Sequence, residues 1–198
     1  MTPPIYLAHG AGAGHQSDFL IQLRQSLLNA SSISVSPITF DYMSQQEATG
    51  KRRPPPQFKT LVTEYESRIL SETACIVSGK SMGGRVAAQL SKHEQVKAIV
   101  CYGFPFYPPR KPEKHRLSFL ENIEKPCLIL QGTRDPLGNL DWVRQQELPE
   151  NVEIHWVEGA DHDFKVLKKY NKNQTDVIEE IAKITTEWLQ TKQILSSL

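Results

Sequence analysis

The sequence predicts an α/β protein with a doubly wound, mostly parallel sheet of about six strands and helices on both faces. Two observations lead to this fold class: short apolar runs typical of buried strands, and intervening segments whose apolar residues recur at helical spacing. The strand-like runs lie near residues 4–8, 34–40, 74–78, 97–101, 126–131 and 152–157. Because 198 residues suit one domain, we expect a single domain over residues 1–198.

The first predicted strand runs into a glycine-rich loop at residues 10–14. Such a loop exposes backbone N–H groups, and an oxyanion hole needs two of them aimed at a developing negative charge. A dinucleotide-binding loop also starts with G-x-G after a strand, but its third glycine would fall at position 15, which is His15. We therefore expect Ala11 or Gly12 to provide one donor of an oxyanion hole.

The most informative segment is Gly79-Lys80-Ser81-Met82-Gly83, which follows the third predicted strand and precedes a helix-like stretch. The pattern is G-x-S-x-G, and strand, sharp turn and helix form the context of a nucleophile elbow. A phosphate-binding P-loop would need a glycine at position 74, which is Ala74. An ordinary turn with an incidental serine is the remaining alternative. The motif predicts that Ser81 is a nucleophile and that Met82 supplies the other oxyanion donor.

A serine needs a base and an orienting acid to act as a nucleophile. In this context the order along the chain is Ser, then Asp or Glu, then His, with each residue at a strand end. Asp135 lies in the turn-rich loop after the fifth predicted strand, and His162 lies in the loop after the sixth. Ser81, Asp135 and His162 therefore have the required order.

Other histidines and acids fit these roles less well. His155 lies within a predicted strand, His93 and His115 lie in polar stretches, and His9 precedes the serine. Asp141 suits the start of a helix. Asp161 and Asp163 flank His162, and side chains of sequence neighbours on a loop seldom point at each other.

Two basic loops are expected at the edge of the sheet that carries Ser81. Lys51, Arg52 and Arg53 precede three prolines after the second strand, and Arg110, Lys111, Lys114 and Arg116 follow the fourth. Ligands bind at the carboxyl edge of open parallel sheets, so Arg52, Arg53 and Arg110 are candidate substrate-binding residues for an anionic substrate. The alternative is a pair of solvated loops whose charge serves solubility.

Composition excludes several functional classes. The net charge is +1, from 23 basic and 22 acidic residues, so no overall field favours nucleic acid or a membrane surface. No apolar stretch approaches the roughly 20 residues that span a bilayer, and no secretory signal precedes the first strand. Cys75, Cys101 and Cys127 fall in strand-like runs, where cysteine behaves as a small hydrophobe. We expect a cytoplasmic protein.

Taken together, these motifs resemble those of the serine α/β-hydrolases. A narrower similarity, to the small branch that includes testis-expressed protein 30 and the hydrolase-like region of a histone-acetyltransferase regulatory subunit, rests on four segments: 9–13, 52–56, 79–85 and 132–135. The resemblance implies a minimal hydrolase fold with an esterase-like site. The segment between residues 101 and 117 is too short for a cap domain, so we expect an open site.

The sequence thus predicts a carboxylesterase-like serine hydrolase that acts on a small ester through an acyl-enzyme. His162 would take the Ser81 proton, Asp135 would orient His162, and no metal or organic cofactor is required. The alternative is a non-catalytic protein-interaction module that retains the fold.

Overall fold

The fold is a single six-stranded sheet in which all neighbouring strands are parallel. A computed structural model describes residues 2–31 and 33–195. The strands are β1 (Ile5–Ala8), β2 (Val35–Ile38), β3 (Cys75–Lys80), β4 (Val96–Tyr102), β5 (Cys127–Gly132) and β6 (Val152–Val157). Their order across the sheet is β2-β1-β3-β4-β5-β6. The predicted fold class is confirmed, and each strand lies where the apolar runs predicted one.

Helices cover both faces of this sheet. They are α1 (Asp18–Ser31), α2 (Asp41–Thr49), α3 (Phe58–Ile69), α4 (Met82–Ala88), α5 (Leu140–Val143) and α6 (Gln174–Thr191). Helices α1 and α6 pack together over one face, where Leu20, Leu23 and Leu27 share a core with Ile181. Helices α3 and α4 cover the other face, which holds Leu61. No helix of the described residues is long and apolar enough to cross a membrane.

Burial distinguishes the central strands of the sheet from the edge strand β2. Every residue of β3 and of β5 is buried, because helices cover both faces of these inner strands. Strand β2 pairs only with β1, and Pro37 lies within it. Proline cannot donate a ladder hydrogen bond, so an edge strand is where the sheet accepts it. Strand β2 ends at Ile38, short of the predicted 34–40, since α2 begins at Asp41.

The strand order places the site. The chain moves from β1 outward to β2 and then returns to β3 on the other side of β1. The connection after β1 therefore leads toward one edge of the sheet, and the connection after β3 leads toward the other edge. The crevice between these two strands is the topological switch point, where open α/β sheets bind ligands. Ala8 pairs with Gly79 across these strands, so the loops after both strands meet at this edge. Residues 103–126, all of them described, contain two short 3-10 turns and no cap domain.

Candidate active site

Ser81 occupies a strained turn between β3 and α4. Its backbone has φ 52° and ψ −111°, in the region that non-glycine residues rarely adopt. Close packing holds this turn, because a Cβ on Gly83 would lie 2.6 Å from the carbonyl oxygens of Ala8 and His9. A Cβ on Gly79 would overlap the backbone of Gly83. Only glycine fits at both positions, and the predicted strand–turn–helix context is present.

Three predicted side chains meet at this turn in a hydrogen-bonded chain. The Ser81 Oγ lies 2.9 Å from Nε2 of His162, whose Nδ1 lies 2.7 Å from Oδ2 of Asp135. An ionised carboxylate only accepts hydrogen bonds, so Nδ1–H donates to Asp135. Nε2 of His162 is then free to accept the Ser81 hydroxyl proton. This geometry suits proton transfer from the serine to the imidazole.

Asp135 is fully buried and held by two further donors. The Nε2 amide of Gln131 donates to its Oδ2 at 2.9 Å, and the backbone N–H of Leu137 donates to its Oδ1 at 2.8 Å. Sequence reasoning missed Gln131, although an amide inside the apolar strand 126–131 is itself an unusual feature. These donors fix the carboxylate so that its remaining lone pair faces His162.

Lys80 anchors the backbone of the loop that carries His162. Its Nζ donates to the carbonyl oxygen of His162 at 2.7 Å and lies 3.8 Å from Oδ1 of Asp163. Burial lowers the pKa of Lys80 to about 8, against the opposing influence of Asp163, Asp135 and Asp161. Sequence reasoning treated Lys80 as a spacer in the motif. The available signal was a cation at the end of a strand with no other charged residue.

The predicted oxyanion donors lie around Ser81. Ala11 and Gly12 line one cleft beside it, and Met82 lines another. No backbone carbonyl of the described residues accepts the N–H of Ala11 or of Met82. Their role as oxyanion donors stays a prediction.

His9 supports the loop after β1 and takes no part in the chain of Ser81, His162 and Asp135. Its Nε2 accepts the backbone N–H of Phe40 at 3.1 Å, and its Nδ1 lies 2.6 Å from the carbonyl oxygen of Gly10. Burial lowers the pKa of His9, which keeps the ring neutral. A neutral ring with Nδ1–H satisfies both contacts and holds the glycine-rich loop against α2.

Two clefts open on either side of Ser81. The larger, of about 450 Å³, includes Lys80, His162 and the glycine-rich loop, and we call it the lysine cleft. The smaller, of about 320 Å³, includes Met82, Arg85 and Arg116, and we call it the arginine cleft. Ser81 therefore lies where both clefts begin.

The candidate substrate-binding arginines lie outside these two clefts. Arg52 and Arg53 are exposed and line a third, neighbouring cleft with Ala11 and Gly12. Arg110 is also exposed and lines none of the three clefts. The described residues contain no cluster of three or more His, Cys, Asp or Glu side chains suited to a metal ion.

Comparison with known proteins agrees with this architecture. The family model for an alpha/beta hydrolase domain matches residues 2–190. Among solved structures, a dienelactone hydrolase from Anabaena variabilis aligns with a TM-score of 0.68 at 16% identity, over 96% of this chain and 86% of that one. An alpha-beta serine hydrolase homologue from Coxiella burnetii gives 0.65 at 15% identity, over 92% of this chain and 84% of the other.

A third structure, a monoacylglycerol lipase from Paleococcus ferrophilus, has a TM-score of 0.65 at 17% identity and covers 96% of both chains. At such identities these three likenesses show the fold. They do not extend to the narrower branch predicted from the sequence.

Proposed function

The chain belongs to the alpha/beta hydrolase domain family, and from this premise we propose that it is a serine hydrolase whose catalytic triad is Ser81, His162 and Asp135. The observation that carries the proposal is the unbroken hydrogen-bonded chain of these side chains at a strained serine turn. A strained backbone conformation costs free energy, and such conformations cluster at functional sites.

In the proposed reaction, Ser81 Oγ attacks the carbonyl carbon of a small ester while His162 Nε2 takes its proton. Negative charge then develops on the carbonyl oxygen, and the free N–H groups of Met82 and of Ala11 or Gly12 stabilise it. His162 returns the proton to the leaving alcohol, which departs with its C–O bond broken. Water, deprotonated by the same imidazole, releases the acyl group from Ser81.

Asp135 has two functions in this scheme. It holds the imidazole with Nε2 facing Ser81, and it stabilises the imidazolium that forms during attack. An open site without a cap domain favours a carboxylesterase-like activity on small esters, as the sequence predicted. Membership of the branch that includes testis-expressed protein 30 belongs to the same proposal and rests on the sequence segments given above.

A fluorophosphonate probe tests this proposal because it reports an activated serine without a known substrate. We expect covalent labelling of Ser81 in the wild-type protein, its loss in Ser81→Ala, and a decrease of about 100-fold or more in His162→Ala. Ser67→Ala is the control, since the Ser67 hydroxyl is exposed and bonds its own helix. A folded wild-type protein that stays unlabelled would support a non-catalytic interaction module.

A further inference from the structure

The arginine cleft combines apolar walls with two cations. Its walls include Pro55, Phe58 and Leu137, and it opens directly onto Ser81. Arg85 enters it from α4, one helical turn after Ser81, and Arg116 enters it from the segment between β4 and β5. None of the described residues that line the cleft is acidic, so no side chain there balances these charges.

Arg85 packs against two aromatic rings that contact each other. Its guanidinium carbon lies 4.9 Å from the centre of the Phe58 ring and 5.0 Å from that of Phe119, and the two ring centres are themselves 4.9 Å apart. Both rings therefore lie on one side of the guanidinium, where they attract its charge but accept no conventional hydrogen bond. The Nε of Arg85 is buried and has no hydrogen-bond partner among the described residues. A buried polar group without a partner is uncommon and calls for a ligand or another explanation.

Arg116 adds a second positive charge. Its Nη1 donates to the carbonyl oxygen of Pro105 at 3.2 Å. Neither Arg85 nor Arg116 forms an ion pair with an acid among residues 2–31 and 33–195. Burial and, second, the charge of Arg116 lower the pKa of Arg85 to about 10, which still leaves both groups cationic at neutral pH. Holding two half-buried cations in one cleft without a counter-ion costs free energy, and a bound anion lowers that cost.

We propose that Arg85 and Arg116 bind a carboxylate or phosphate group of the substrate while its ester carbonyl lies at Ser81. The guanidinium fork matches both anions with paired N–H donors, so either group meets the chemistry of the cleft. This inference rests on the proposed function, because it assigns the substrate class of the same site. It places recognition inside the cleft, whereas the sequence placed it on the exposed loops of Arg52, Arg53 and Arg110.

The first experiment compares matched esters on the wild-type protein. Monoethyl esters of dicarboxylic acids from malonate to suberate are compared with the corresponding diethyl esters, which have no charge. Acyl esters of phosphoethanol, compared with those of methoxyethanol, distinguish phosphate from carboxylate. We expect one anionic series to exceed its neutral counterpart in kcat/KM by about tenfold or more, equivalent to about 1.4 kcal/mol. Equal values for charged and neutral esters at every chain length would overturn the inference.

The second experiment measures the same ratio in variants. Arg116→Gln and Arg85→Met should each lower the anionic-to-neutral ratio about tenfold, since each removes a charged donor. Arg144→Gln is the matched control, because Arg144 is an exposed arginine outside the clefts, and its ratio should equal that of wild type. A ratio unchanged in Arg116→Gln would contradict the proposal even if Arg85→Met failed to fold.

Binding to Ser81→Ala separates this inference from the proposed function. Titration calorimetry with each monoethyl ester from malonate to suberate, and with the diethyl ester of the same length, measures recognition when hydrolysis is impossible. Tighter binding of the charged ligand, lost in Ser81→Ala with Arg116→Gln, supports the inference even if wild type hydrolyses nothing. Hydrolysis of neutral and charged esters alike, with equal binding of both, would leave the hydrolase intact and refute the anion site.

Discussion

Lys80 is a buried cation just before Ser81 in the chain, and Arg85 is a half-buried cation one helical turn after it, yet their charges have different partners. Lys80 is 7% exposed, donates to the His162 carbonyl and has Asp163 nearby. Arg85 has two aromatic rings and no acidic partner among the described residues.

Lys80 thus binds groups within the protein, whereas we infer that Arg85 is available to bind a ligand. Hydrogen bonds and nearby acids offset part of the cost of burying Lys80, and its position holds the base of the proposed reaction. Among the described residues, Arg85 has no acid beside it and has only the two aromatic rings to offset the burial of its charge. In the proposed function, the lysine cleft therefore supports the catalytic triad, and the arginine cleft recognises the anionic group of the substrate.

The strongest test of this comparison is Lys80→Met, which keeps an apolar stem and removes the donor to His162. Its loss leaves a partly buried carbonyl unpaired and frees the His162 loop, so we expect kcat to fall about 100-fold. KM should change little, and charged and neutral esters should be affected equally because Lys80 acts through His162. Steady-state kinetics on the preferred ester pair measure both quantities.

Lys92→Met is the control for this variant, since Lys92 is an exposed lysine that lines none of the three clefts near Ser81. A loss in Lys80→Met confined to anionic esters would show that Lys80 binds substrate directly. That result would erase the distinction between the two cations.

A smaller effect concerns the dependence of stability on pH. The pKa of Lys80 is about 8 in the folded protein, against 10.5 for an ordinary lysine. Between these values the unfolded chain binds more protons than the folded one, so the free energy of unfolding rises with pH. From pH 7.5 to 9.5 we expect about 2 kcal/mol from this group.

Urea unfolding of wild type and Lys80→Met across that range isolates the contribution. Other groups, such as Cys75 with its raised pKa, titrate in both proteins and cancel in the difference. The difference between wild type and variant should grow in favour of wild type as pH rises. A constant difference would mean that Lys80 stays charged and well solvated in the folded state.

The sequence was sufficient for the features that depend on local pattern. Continuous apolar runs predicted β3 and β5, because strands covered on both faces need no polar alternation. The G-x-S-x-G motif located Ser81, and strand ends in the required order located Asp135 and His162. Their catalytic roles remain predictions, although the structure brings all three within hydrogen-bond distance.

Sequence patterns did not reveal the features that depend on contacts between residues distant in the chain. Gln131 and Lys80 matter because of Asp135 and the His162 carbonyl, partners that no local pattern reveals. The basic loop after β4 was recognised, and Arg110, the residue chosen within it, is exposed and lines none of the three clefts near Ser81, so its part in substrate binding stays a prediction. Arg116 turns inward to Pro105, while Arg110 is exposed, and only the path of the chain distinguishes them.

The smallest expected effect concerns Arg52 and Arg53, which are exposed and lie outside the cleft that holds Arg85 and Arg116. Both lie on a proline-rich loop above the glycine-rich loop, where they can attract an anion at a distance without touching it in the site. We expect Arg52→Glu with Arg53→Glu to lower kcat/KM for the anionic ester by about threefold at low salt, and to leave the neutral ester unchanged. This steering should disappear near 1 M salt, where the Debye length falls to about 3 Å.

The loss in Arg116→Gln should persist there, because direct contact in a partly desolvated cleft is screened much less. Stopped-flow or steady-state rates across a salt series measure both variants. If the double variant shows no effect at any salt, the exposed loop serves solubility alone, and if Arg116→Gln loses its effect in salt, its charge acts from a distance like those of the loop.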